Sequence, residues 1–244
     1  MMSLVVGASA GLGRALAQEL ARAGHTLFLI ATDERDLMAT AADLRIRFGV
    51  RVAYLAVDLA AADIDALRGA VLEDLGRIDN LFLIAGWSAH EDGSHIPTAV
   101  ARRLLAVNGT EGILLVNAFL PDLVASRGNL VGAGSVAGVR GRRKNALYGA
   151  AKRGLETWFE SARHALAQSG SGCRVQFYRL GYLATSMVAG QKLLFPPLAP
   201  DVAARRIVAN LDRDIGTRYL PWWWWPIMTM LRLLPWPLFK RLDI

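Results

Sequence analysis

The chain has 244 residues, 53% hydrophobic and 20% charged, which is long enough to bury a large α/β core and too apolar for disorder. Its single cysteine, Cys173, excludes an internal disulfide and a cysteine-built zinc site, so a reducing compartment is expected. The formal charge of +7 is uneven: Arg127, Arg140, Arg142, Arg143, Lys144, Lys152 and Arg153 fall between Asp122 and Glu156 with no acid among them. Such a window suits an anionic partner, although a merely solvated loop has the same composition.

In chain order, short apolar runs at residues 4–6, 26–31, 52–57, 80–85, 129–132 and 174–180 predict strands. Helical patterns at 13–23, 35–48, 64–75, 98–120 and 147–168 lie between them. Strand–helix alternation with Val- and Leu-rich strands predicts a doubly wound, Rossmann-like parallel sheet, an α/β fold with ligands at the carboxyl ends of its strands. No repeat or linker divides it, so residues 1–220 form one domain and 221–244 a hydrophobic, tryptophan-rich tail. The first apolar run opens at Ser3, which leaves no room for a signal peptide, and a cytoplasmic protein is expected. His90 and His95, near Glu91 and Asp92, are spaced too loosely to predict a metal site.

The first turn reads Gly7-Ala-Ser9-Ala-Gly11-Leu12-Gly13, between a strand and a helix. Glycines there permit a tight turn and close approach to a pyrophosphate at the helix N-terminus. The spacing is neither G-x-G-x-x-G nor a P-loop, so alone it is a weak signal. Further on, Tyr148 and Lys152 stand four apart at the start of a helix and so share a face. A nearby ammonium favours phenolate, and a downward shift of about three units would bring Tyr148 close to neutral pH as an acid/base. Ser135, at a strand end, is placed to hold a substrate oxygen.

Together these residues resemble the short-chain dehydrogenase/reductase family, over about residues 3–220. The resemblance implies an NAD(P)-dependent oxidoreductase acting on CH–OH and C=O groups, usually as a homo-oligomer. It implies catalysis by Ser135, Tyr148 and Lys152, with Asn108 holding a proton-relay water and Lys152 also binding the nicotinamide ribose. The cofactor would further meet the glycine turn, Asp58 and Leu59 at the adenine, Ala85 and Gly86, and Gly181, Leu183 and Thr185 at the nicotinamide end. Three positions depart from the family pattern. Leu83-Ile84-Ala85-Gly86 replaces Asn-Asn-Ala-Gly, Leu180-Gly181 replaces Pro-Gly, and Ala31-Thr32-Asp33 replaces the usual cofactor-sorting acid or arginine. Asp33 would repel a 2′-phosphate, so NADH is expected over NADPH, with Thr32 beside it.

Five of the seven tryptophans fall in residues 221–239, with four prolines and Arg232, a pattern that suits a membrane surface or a pocket lid better than a span. The tail and the arginines before Tyr148 resemble a branch of the family that reduces polyprenyl-phosphate-linked 2-keto pentoses to the arabinose epimer. That resemblance implies Arg140, Arg142 and Arg143 as substrate-phosphate ligands, a flavin oxidase as partner, a role in cell-envelope synthesis, and a peripheral position on the cytoplasmic face of the membrane. The alternatives are another lipophilic ketone or alcohol as substrate, or a non-catalytic cofactor-binding subunit. Nucleic acid is not expected, because the basic window lacks interleaved aromatics.

Overall fold

Strands of Leu, Val, Ile and Phe that are buried on both faces need helices above and below them, and this chain supplies both layers. The computed structural model describes residues 1–89, 92–93, 95–190 and 193–242; His90 and Glu91 of the loosely spaced cluster lie outside that set. The elements are β1 (Met2–Val6), α1 (Gly11–Arg22), β2 (Thr26–Ala31), α2 (Glu34–Phe48), β3 (Val52–Ala56), α3 (Ile64–Leu75) and β4 (Asn80–Leu83). Then come α4 (Thr98–Leu105), α5 (Glu111–Ser126), β5 (Asn129–Ser135), α6 (Ala146–Ser169), β6 (Arg174–Leu180), α7 (Pro200–Val208) and β7 (Thr217–Leu220). Two tail helices follow, α8 (Trp224–Leu233) and α9 (Trp236–Phe239).

All seven strands are parallel, in the order β3-β2-β1-β4-β5-β6-β7. One face is covered by α1, α2 and α7 through Leu16, Leu37 and Ile207; the other by α3, α5 and α6 through Val71, Phe119 and Phe159. The predicted strands at 26–31 and 174–180 coincide with β2 and β6. The predicted helix at 98–120 is broken: a π-helical turn, Ala106–Thr110, separates α4 from α5. The run Thr98–Ser126 is long and apolar enough to cross a membrane by length and composition, yet Leu115, Val116, Phe119 and Leu123 pack beneath the sheet as core.

At the amino ends of the strands, Ser3, Asn80, Asn129 and Arg174 are direct cross-strand partners in β1, β4, β5 and β6. Their side chains form one hydrogen-bonded row: Arg174 Nε donates to Asn129 (2.8 Å), Asn129 to Asn80 (2.7 Å), and Asn80 to Ser3 (3.0 Å). His25 Nδ1 meets the Ser3 hydroxyl at 2.8 Å. Burial keeps the His25 pKa below its ordinary value.

Candidate active site

The strand order reverses between β1 and β4, and a cleft of about 390 Å³ opens there at the carboxyl ends. Gly7 has φ +95°, and a Cβ on it would stand 2.6 Å from the Ala85 nitrogen; one on Gly13 would stand 2.0 Å from the Gly7 carbonyl. Only glycines allow this turn. The residue capping α1, Ala10, offers no side-chain acceptor, so the helix's first N–H groups stay available to an anion. Ser9 and Leu12 line the same wall. Thr185 closes it from the opposite side, its methyl 3.0 Å from where a Gly11 Cβ would be. These residues fit a dinucleotide.

At the ribose end, Thr32 lines the cleft and Asp33 does not. The Asp33 carboxylate caps α2, accepting from the Asp36 nitrogen at 2.8 Å. The expectation that Asp33 meets the cofactor is thereby corrected: its carboxylate is engaged on the N-terminus of α2 and lies outside the cleft lining. Asp58 and Leu59, expected at the adenine, line the cleft, with Asp58 paired to Arg103 at 2.9 Å. The Arg103 guanidinium also lies 5.6 Å from the Trp87 ring centroid. Nothing in the sequence marked Arg103 or Trp87, since the adjacent Arg102 and Arg103 look alike and carry no spacing signal.

The chemistry gathers below this turn. Ser135 ends β5, and its Oγ accepts from the Ala137 nitrogen at 3.1 Å and is hydrogen-bonded to Tyr148. Lys152 is almost fully buried, and its Nζ donates to the carbonyls of Ala85 and Ala133, both at 3.2 Å. Burial lowers its ammonium to about 8. Burial also raises the Tyr148 phenol above its ordinary value, against the Ser135 hydrogen bond. The expected lowering of Tyr148 by Lys152 is therefore reversed in this state. Sharing a helix face does not aim the two groups at each other, because the lysine reaches inward to the strand ends.

Asn108 sits in the π-helical turn, a helix defect often found at functional sites. Its Oδ1 accepts from Trp87 N (3.0 Å), and its Nδ2 donates to the carbonyls of Trp87 (2.7 Å) and Leu104 (3.0 Å). One Oδ1 lone pair remains for a water. Gly86 lies directly above: a Cβ on it would stand 3.3 Å from Asn108 Oδ1 and 3.6 Å from Lys152 Nζ. Asp92 was also missed. Buried, it accepts from the nitrogens of Leu147 (3.0 Å) and Tyr148 (2.8 Å), so its carboxylate fixes the first turn of α6.

The three arginines separate. Arg142 lines the cleft, and its Nε is buried without a hydrogen-bond partner. Arg143 is outside the lining, as is Arg140. Arg140 is directed at the tail, donating to the carbonyls of Leu231, Arg232 and Leu234 and lying 3.7 Å from the Phe239 ring centroid. Arg140 as a phosphate ligand is corrected accordingly: a guanidinium capping a helix C-terminus is already engaged. Gly181 and Leu183 line the cleft mouth, and Trp224 occupies the space of a Gly181 Cβ, its Nε1 only 1.8 Å from that position. Only glycine lets the tail seat there. Among the described residues no cluster of three potential metal ligands occurs.

The cleft brings the glycine turn together with Ser135, Tyr148 and Lys152. The chain belongs to the short-chain dehydrogenase family, whose model matches residues 2–193, and is an NAD(P)-dependent oxidoreductase. An uncharacterised oxidoreductase of Myxococcus xanthus is 32% identical over 244 residues, covering 97% of this chain and 94% of that protein. A hydroxysteroid 11-beta-dehydrogenase 1-like protein of Macaca fascicularis is 31% identical over 242 residues, covering 96% and 83%. Among solved structures, L-sorbose reductase of Gluconobacter frateurii, complexed with NADPH and L-sorbose, has a TM-score of 0.79 at 20% identity, covering 89% and 94%.

Proposed function

We propose that the protein is an NAD(P)H-dependent reductase of a lipophilic ketone bearing a phosphate. The observation that carries this reading is the guanidinium-bearing Arg142 in the same cleft lining as Ser135 and Tyr148. A guanidinium suits phosphate oxygens through charge-assisted, often paired hydrogen bonds, and a neutral ketone gives no reason for one beside the catalytic groups. A polyprenyl-phosphate-linked 2-keto pentose, the substrate class of the decaprenylphosphoryl-2-ketoribose reductases that the tail and arginines resemble, meets both requirements. Its ketone would come from a separate flavin oxidase. The site would then work in the cytoplasm, at the membrane's inner face.

When bound, the nicotinamide supplies the hydride to the carbonyl carbon. The chain's own groups handle the oxygen: Ser135 holds it by hydrogen bond, Tyr148 donates the proton, and Lys152 with the Asn108 water replenishes it. Either cofactor would fit, because Thr32 and not Asp33 lines the cleft after β2; the NADPH in the sorbose reductase supports NADP(H) as readily as Thr32 permits NAD(H). A neutral lipophilic ketone is the second reading, favoured by the macaque relative's name. To separate them, Arg142→Met is assayed on a short prenyl-phospho-2-keto pentose and on a neutral steroid ketone. The phosphate reading requires kcat/KM to fall about 10- to 100-fold on the first only, the worth of one or two charge-assisted hydrogen bonds. Equal effects on both substrates leave the neutral ketone.

A further inference from the structure

The tail has two faces of opposite character. Trp224, Met228 and Phe239 are buried; Trp224 and Met228 pack with Val136, Tyr182 and Phe195, of which Val136 and Tyr182 also line the cleft. These inward residues already close the rim. The other face is apolar and open to solvent: Trp222 is 72% exposed, Trp225 61%, Met230 64%, Leu233 75%, Trp236 66% and Leu238 52%. Trp225 and Leu233 lie eight apart on α8 and so share its outer side. A patch this apolar on a folded surface marks an interaction site.

Charge identifies the occupant. Between Asp214 and Asp243 the sequence has no acidic residue, while Arg218, Arg232, Lys240 and Arg241 fall there. Arg232, Lys240 and Arg241 are exposed alongside the aromatic face. Indole rings prefer the headgroup level of a bilayer, and basic residues beside them are attracted by anionic lipid. α8 has only ten residues and is too short to span, so it would lie in the interface plane.

We propose that the outer face of α8 and α9 docks on an anionic lipid bilayer. Docking sets the rim formed by Val136, Gly181 and Tyr182 beside the membrane, so a lipophilic substrate enters the cleft from the lipid phase. This holds whichever ketone is reduced. It differs from pocket closure, which the inner face performs, and from a copy-to-copy contact, which would not call for an unbroken basic charge.

The test is co-sedimentation of the full chain with vesicles of phosphatidylglycerol and phosphatidylcholine, against phosphatidylcholine alone. Wild type is expected in the pellet with anionic vesicles, released by salt. Trp225→Ser/Leu233→Ser/Trp236→Ser should lose the binding, and Arg232→Ser/Lys240→Ser/Arg241→Ser should weaken it on the order of 100-fold, about fivefold per basic residue. Both should keep wild-type dinucleotide affinity and turnover of a small water-soluble ketone, which verifies their folding. The proposal is overturned if wild type stays in the supernatant, or if either variant binds anionic vesicles as wild type does. It is also overturned if the aromatic variant converts a dimer to a monomer in sedimentation velocity, which assigns the face to a second copy.

Discussion

Arg140→Ala should release the tail without touching the chemistry. Arg140 joins the loop after Ser135 to the last carbonyls of α8, with 2.6 Å to Leu234, and covers the Phe239 ring. Charge-assisted hydrogen bonds are worth about 1.5–3 kcal/mol each when buried, and the half-exposed setting takes the lower end. Two such bonds and about 0.5 kcal/mol of cation–π attraction give roughly 3–4 kcal/mol holding the tail. Losing it raises the population of the undocked tail by roughly 150- to 900-fold. Hydrogen exchange followed by mass spectrometry reads this directly: amides of residues 224–239 should lose protection, while those of β1, β4 and β5 keep theirs. Dinucleotide affinity should not change. Unchanged exchange in the tail would refute the anchoring role; a selective loss of phosphate-bearing substrate, with the tail still protected, would return Arg140 to the list of ligands.

Tyr148→Phe should cut turnover by about 10²–10⁴-fold while dinucleotide Kd stays within error, and near-normal turnover would end the assignment of Tyr148 as proton donor. For Lys152, the folded free protein loses the ammonium charge above about 8 while the unfolded chain keeps it to its ordinary 10.5, so stability rises with pH across that interval. Ribose hydroxyls favour the charged form, so dinucleotide affinity should fall above that value with proton uptake on binding, measurable by calorimetry in buffers of differing ionisation heat; binding without uptake at about pH 9 refutes it. Thr32→Arg should shift kcat/KM toward NADPH by about tenfold, the worth of one phosphate contact, whereas Asp33→Asn should leave the NADH-to-NADPH ratio within about threefold. Asp92→Ala should lower kcat about tenfold with KM little changed, through a loosened first turn of α6, and Asp92→Asn should recover part of it; a loss of thermal stability with unaltered kcat would make the residue merely structural.

The sheet was legible because parallel, doubly buried strands are written as unbroken apolar runs; β2 and β6 match their runs to the residue. β7 was not, since Thr-Arg-Tyr-Leu is four residues with a half-exposed face and no apolar run. The glycine turn, Ser135, Tyr148 and Lys152 were legible as spacings. Direction was not: a four-residue spacing puts Lys152 and Tyr148 on one face, but the Ala85 and Ala133 carbonyls decide where the ammonium goes. Three arginines in four residues look alike in sequence, and only the fold sends Arg140 to the tail and Arg142 to the cleft. The fate of Asp33 was within reach, because an aspartate just ahead of a helical run is an N-cap by preference.

The row from Arg174 through Asn129 and Asn80 to Ser3 fixes the register of the sheet at its amino end. Four strands are cross-linked side chain to side chain at their amino ends, and a slip of β5 by a residue would leave the Arg174 donor unpaired on one neighbour and the Asn80 acceptor unpaired on the other. At their carboxyl ends the same strands face the cleft. There the tie comes from one cation: Lys152 Nζ donates to the carbonyls of Ala85 and Ala133 and so joins the ends of β4 and β5 from the cleft side. Acid reaches this row through His25: protonating it removes the acceptor its Nδ1 offers to Ser3, so the sheet should loosen from its amino end as pH falls.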